Sequence, residues 1–197
     1  MTPINGSNDA LEQMLSSMKI DEAKQFCFSG GDTTFSGRGW FYGTIYKTDN
    51  SYATAVAFNY SNNATVRRTK LAGVWQPWEW VNPPFDMGNT EYRTIERYFG
   101  KPVYAKAVDM GSLPSASSKS AAHGISNVKY VISITGQAWQ SDGTKFTIPF
   151  IRDPAAPTSS MVSLHANQTH VVLNQVGSVY GSNYNVYAII KYTKSTD

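Results

Sequence analysis

From Ala23 to its end, the chain is a succession of short segments in which side chains alternate with period two. Clusters of Gly, Asn, Asp, Ser and Pro separate them. This pattern constrains the fold more than any other feature. A period of two puts successive side chains on opposite faces of a strand, and the turn residues limit each strand to a few positions. A first set of strands is expected at Ala23–Ser29, Gly39–Lys47, Tyr52–Tyr60, Thr65–Leu71 and Val74–Val81, with turns at Gly30-Gly31-Asp32, Thr48-Asp49-Asn50 and Ser61-Asn62-Asn63. A second set is expected at Pro102–Val108, Val128–Thr135, Lys145–Phe150, Met161–His165, Thr169–Leu173 and Tyr184–Thr193. The last of these carries apolar or aromatic residues on both faces, which suits a strand that is central or buried between subunits.

Only the start of the chain departs from the strand period. Leu11, Met14, Leu15 and Met18 fall at i, i+3, i+4 and i+7, one face of a short helix for which Asn8 and Asp9 are N-cap candidates. That stripe covers a sheet within the chain or meets symmetry mates on an axis. Asn82-Pro83-Pro84 ends any strand and stiffens the backbone. The expectation is an all-β protein in four parts: a helical segment 1–22, a small knob-like β-domain 23–82, a linker 83–101, and a C-terminal β-sandwich or jelly-roll-like domain 102–197.

Composition narrows the chemistry. Of 197 residues, 16% are charged and 13% aromatic, with a mean hydropathy of -0.34. The polarity therefore lies in Ser, Thr, Asn, Gln and Gly, a surface suited to neutral polar ligands such as sugars. The net charge of +3 and one tight basic group, Arg67, Arg68 and Lys70, fall short of the broad stripe that nucleic acid requires. A single cysteine, Cys27, excludes an intrachain disulfide and reads as a buried thiol. The sequence shows no secretion signal after Met1 and no apolar run of membrane-spanning length, so membrane insertion is not expected.

A search for catalytic parts yields little. His123, His165 and His170 lack metal-ligand spacing, and neither a nucleophile elbow nor a phosphate-binding glycine loop is present. Glu91, Glu96, Asp109, Asp142 and Asp153 are the acids from which a glycosidase pair would be drawn, but their spacing selects no two of them. No catalytic residue, metal or cofactor is expected. Two aromatic features remain. Trp75, Trp78 and Trp80 stand within six residues and read as the core of the first domain rather than a sugar platform. In the C-terminal half, Gln137, Trp139 and Asp142 share one hairpin region, Arg152 lies in another loop, and Tyr180 and Asn183 lie in a third. A flat ring beside amides, a carboxylate or a guanidinium is what sugar recognition uses, so these six are the candidate ligand contacts.

Several stretches resemble bacteriophage tail fibre proteins. Gly73 to Pro84, with Trp40–Tyr46 and Ala53–Ala57 upstream, is similar to a pyocin-knob domain. Glu91 to Tyr104 resembles the connector of phage fibre tips, followed by a Gly-x-Leu-Pro turn at Gly111-Ser112-Leu113-Pro114. Ala121 to Ile125 and the closing Tyr187 to Lys194 extend the resemblance, which runs from about Asp9 to Lys194. It implies a homotrimeric fibre tip of a phage or of a tail-like bacteriocin, assembled in the host cytoplasm and released on lysis. It further implies upstream fibre or baseplate partners, and a bacterial surface polysaccharide as receptor. It supplies no catalytic residues. A polysaccharide depolymerase and a purely structural fibre segment are the alternatives.

Overall fold

A computed structural model of the chain describes residues 2–3, 8–29, 39–61, 64–83, 89–151, 161–177 and 183–197. The chain divides into two compact units. One is Met1–Asp86 with Tyr92–Ile95, and the other is Met87–Glu91 with Glu96–Asp197. Among the described residues one short helix accompanies many strands, and the sheets formed by these residues do not close into barrels.

In the first unit the strands are β1 (Thr2–Pro3), β2 (Glu22–Ser29), β3 (Trp40–Lys47), β4 (Ala53–Asn59), β5 (Thr65–Leu71), β6 (Val74–Trp75), β7 (Glu79–Asn82) and the start of β8 (Tyr92–Tyr98). The sheet runs β1-β2-β3-β4-β5-β7-β8, with β6 also on β5. Pairing is antiparallel apart from β1 on β2 and a single parallel position, Trp80 opposite Thr94. The segment expected as one strand, Val74–Val81, is two, because Pro77 cannot donate to the ladder.

Helix α1 (Asn8–Ser16) buries Leu11, Met14 and Leu15, and Met18 just beyond it is buried too. Its apolar stripe is therefore covered within the chain. On β4 the small residues Ala53, Ala55 and Ala57 are fully or nearly buried. Two polar clamps fix the helix. Lys47, 6% exposed, donates through Nζ to the carbonyls of Leu15 (3.1 Å) and Met18 (2.9 Å), capping the helix C-terminus where orphan carbonyls favour a cation. Glu12 accepts from Lys70 Nζ at 2.7 Å and from Trp75 Nε1 at 3.0 Å.

The tryptophans are core, as their place before the Pro-Pro break implies. Trp75, Trp78 and Trp80 are all under a tenth exposed. Phe28 stacks on Phe41 with centroids 5.2 Å apart and lies 5.5 Å from Trp78, while Phe41 lies 6.2 Å from Trp80. Cys27 is a buried free thiol. The basic group at β5 is structural: Arg68 donates to the carbonyl of Gln76 and its guanidinium lies over Trp78, and Arg67 binds Glu79.

The second unit is a two-layer sandwich. Its first sheet pairs β9 (Lys101–Ser112), β16 (Asn185–Lys194), β11 (Val128–Trp139) and β12 (Lys145–Ile148) in that order. The second pairs β10 (Ser118–Ala122), β15 (His170–Val176), β14 (Met161–Ala166) and β13 (Phe150–Ile151). Every pairing for which a register is given in this unit is antiparallel. Val108, Met110, Ala138, Ile148, Val186, Ala188, Ile190 and Tyr192 from the first sheet form one core with Val162, Val171 and Leu173 from the second. At Gly136 an added Cβ would lie 2.3 Å from Leu164 Cδ1, so the missing side chain lets the facing sheet's leucine close over β11.

Two elements differ from expectation. Residues 83–101, read as a linker, carry β8 and the first position of β9. The charged Glu-Arg alternation had masked a strand whose support is backbone pairing. β10 was likewise not expected, because Ser118-Lys119-Ser120-Ala121-Ala122 has no bulky apolar member.

Candidate functional site

Strand register decides which side chains share the outer face of the first sandwich sheet. Residues directly opposite in an antiparallel ladder point to the same side. β16 is central, between β9 and β11, and its buried positions alternate with Asn185, Tyr187 and Ile189. Tyr187 is 40% and Ile189 43% exposed, so the expectation that both faces of this strand carry bulky side chains holds, with only one face covered by the chain itself.

Reading across the strands gives three adjacent rows. Lys145, Trp139, Asn185 and Ser112 form the first; Thr147, Gln137, Tyr187 and Asp109 the second; Thr135, Ile189 and Ala107 the third. Trp139 is half-buried, and Gln137, Asn185, Asp109, Lys145 and Thr147 are exposed. Trp139 and Tyr187 are diagonal neighbours, about 7–8 Å apart at the backbone by ordinary sheet geometry. Two rings are thus offered on one face, with two amides and a carboxylate between and beside them. Rings stack on the CH faces of sugars, and planar amide and carboxylate groups hold hydroxyls.

The six expected contacts divide accordingly. Gln137 and Trp139 fall in neighbouring rows of this face. Asp142 is exposed in the β11–β12 turn, where its Oδ1 accepts the backbone N–H of Thr144 at 2.8 Å, so one of its oxygens shapes the hairpin. Asn183 is exposed two residues before Asn185, at the same end of the sheet as the hairpin. Arg152 and Tyr180 lie outside the described residues. Tyr187, Asn185 and Asp109 were not among the expected contacts. The alternation within Tyr184–Thr193 held the signal for Tyr187, but the pairing with Gln137 and Asp109 did not follow from sequence.

The acids that would make a hydrolytic pair have other partners. Glu91 accepts short hydrogen bonds from the Tyr192 hydroxyl and from Lys194, and Lys194 sits 4.7 Å above the Tyr104 ring. Burial first, and then the Glu91 carboxylate, push the Tyr192 phenol well above its usual range, so it stays a donor. Glu96 pairs with Lys191 at 2.5 Å, and Asp109 Oδ1 accepts the N–H of Gly111 at 2.7 Å. Asp153 lies outside the described residues.

His123 serves structure in the same way. His123, 2% exposed, accepts the N–H of Ile125 at Nδ1 (3.1 Å), which leaves Nε2 to donate to the carbonyl of Asn167 (3.3 Å). Burial, helped by the charge of Lys106, lowers its pKa and keeps it neutral. Among the described residues no three His, Cys, Asp or Glu side chains converge as metal ligands, and no helix is long and apolar enough to cross a membrane.

No protein-family model and no curated protein matches this chain. Among solved structures it is similar to an N-truncated R2-type pyocin tail fibre, at 10% identity over 98% of this chain and 95% of that one, with a TM-score of 0.26. A P. aeruginosa R1 pyocin fibre matches at 11% identity over 96% of this chain and 67% of that one, with a TM-score of 0.27. A P. aeruginosa R2 pyocin fibre matches at 10% identity over 98% of this chain, which spans 65% of it, with a TM-score of 0.28.

Proposed function

We propose that this chain is the receptor-binding tip of a tail fibre, of a phage or of a tail-like bacteriocin, and that it recognises a bacterial surface glycan. One observation carries the binding role: the register that sets Trp139 and Tyr187 on the same exposed face, with Gln137, Asn185 and Asp109 around them. The connector and closing-strand resemblance noted in the sequence supports the fibre context. Recognition here is reversible capture. Rings stack on sugar faces, amides and the free oxygen of Asp109 hold hydroxyls, and no bond is broken. In a homotrimer three such faces act together, and weak single contacts gain because the second and third are effectively intramolecular.

A glycan array with the purified protein tests this reading, with Trp139→Ala and Tyr187→Ala alongside. Binding to a bacterial polysaccharide that both variants lose is the expected result. Binding that neither variant changes removes this face from the reading, and a folded protein that binds no bacterial glycan overturns it. New reducing ends in the bound polysaccharide would replace capture with hydrolysis.

A further inference from the structure

The outer face of the first sandwich sheet is electrically uneven. Lys145 on β12 stands directly opposite Trp139 on β11, and Asn185 on β16 stands opposite Trp139 from the other side. An ammonium, an indole N–H and an amide thus lie side by side in one row, about 5 Å from strand to strand, and all three donate hydrogen bonds. Lys145 is exposed, and neither its ammonium nor the Trp139 indole N–H has a partner among the described residues. Other lysines of this unit are committed: Lys191 to Glu96, Lys194 to Glu91, and Lys101 and Lys119 to the backbone carbonyls of Asp197 and Ser112.

The acids leave this end of the face to the cation. Asp142, three residues before Lys145, turns Oδ1 to the N–H of Thr144 and makes no ion pair with Lys145. Asp109 stands opposite Tyr187 on β9, three strand spacings from β12 in the order β9-β16-β11-β12. At about 4.8 Å per spacing the separation is about 14 Å, beyond the Debye length of about 8 Å at physiological salt. The face has a cationic, donor-rich end at Lys145 and Trp139 and an anionic end at Asp109, with Asn185 and Tyr187 between.

We propose that the saccharide unit stacked at Trp139 is an acidic one, its carboxylate or phosphate held by Lys145 and the indole N–H. The glycan runs from there across β16 towards Asp109, which repels a second acidic unit at that end. The inference rests on the glycan reading of this face and adds to it a charge and a direction. A neutral sugar offers the ammonium a neutral hydrogen bond only, whereas an oxyanion makes a charge-assisted one, about twice as strong. Lys145 therefore sorts acidic from neutral polymers, while Trp139 and Tyr187 stack on either.

Immobilised bacterial polysaccharides, grouped as neutral, uronate-bearing and phosphate-bearing, test this with the full chain. Each bound polymer is offered again after its carboxyl groups are reduced to alcohols, and again after hydrofluoric acid has removed its phosphates, which tells the two oxyanions apart. The parent should prefer acidic polymers, bind them less as salt rises, and lose that preference after the treatment that removes the charge. Lys145→Gln should weaken binding to the acidic polymer by about fivefold, the order for one exposed charge-assisted contact. Binding to the treated polymer and the melting temperature should not change in this variant. Asp109→Asn should strengthen binding to polygalacturonate, which is acidic at every unit; no gain there overturns the direction. Preference for neutral polymers, full binding after both treatments, or a Lys145→Gln variant that binds as the parent does, each with binding still lost in Trp139→Ala, overturns this inference and leaves the glycan reading standing. A folded protein that binds no polysaccharide overturns both.

Discussion

Glu79 is 3% exposed and lies between Arg67 Nη2 at 3.0 Å and Arg93 Nε at 2.9 Å. Glu79→Ala removes the charge that both guanidiniums answer to, yet the two are not equally placed. Arg67 is 37% exposed and can swing into water, so its pair is worth at most about 1 kcal/mol. Arg93 is 13% exposed and cannot, so it becomes a nearly buried cation without its carboxylate. Breaking buried pairs costs about 3–5 kcal/mol, and the partial exposure of Arg93 puts Glu79→Ala near 3 kcal/mol. Arg93→Ala should cost about 2–3 kcal/mol, since Glu79 retains Arg67, whereas Arg67→Ala should cost under about 1 kcal/mol. Urea titration followed by tryptophan fluorescence is the assay, because Trp75, Trp78 and Trp80 are buried in the same unit. With slopes of about 1–3 kcal/mol per molar, a 3 kcal/mol loss moves the midpoint by about 1–3 M. Arg67→Ala costing as much as Arg93→Ala would refute the assignment of the energy by burial, and a Glu79→Ala loss below about 1 kcal/mol would refute the buried pair altogether.

Other expectations are as concrete. An added Cβ at Gly43 would lie 2.3 Å from the Val56 carbonyl oxygen and 2.7 Å from Ala57 Cβ, atoms that no rotamer change can move. Gly43→Ala should therefore destabilise by about 2–3 kcal/mol or more, and Gly136→Ala by less because Leu164 can rotate; equal melting shifts would contradict this. His123 has a lowered native pKa, so the unfolded chain binds its proton first as pH falls. Its contribution is whole above about pH 6.5 and declines from there down to the native pKa. The urea midpoint should fall on acidification more steeply for the parent than for His123→Asn, and identical slopes would exclude the histidine as the cause. Trp139→Ala should leave the melting temperature within a few degrees, since the ring is half-buried, while removing glycan binding. Sedimentation equilibrium of the purified protein should give three times the 21.7 kDa chain mass if the fibre tip is a trimer; a monomer mass at micromolar concentration argues against that assembly.

Period-two alternation, turn chemistry and the helical stripe at Leu11, Met14, Leu15 and Met18 were enough to read the all-β class and most strands, because each is a local property of neighbouring residues. The burial of Trp75, Trp78 and Trp80 was legible too, since large rings gathered beside a Pro-Pro break have few other places to go. β8 and β10 were not. Their residues carry little hydrophobic signal, and they are strands because the backbones of β7 and β15 offer them hydrogen bonds. Trp139 and Gln137 stood out by residue type alone. Their company of Tyr187, Asn185 and Asp109 depends on register between strands some fifty residues apart in the case of β11 and β16. A one-residue slip would turn every one of those side chains to the other face. Sequence determined which residues could alternate, and the tertiary pairing alone decided which of them meet on the exposed face.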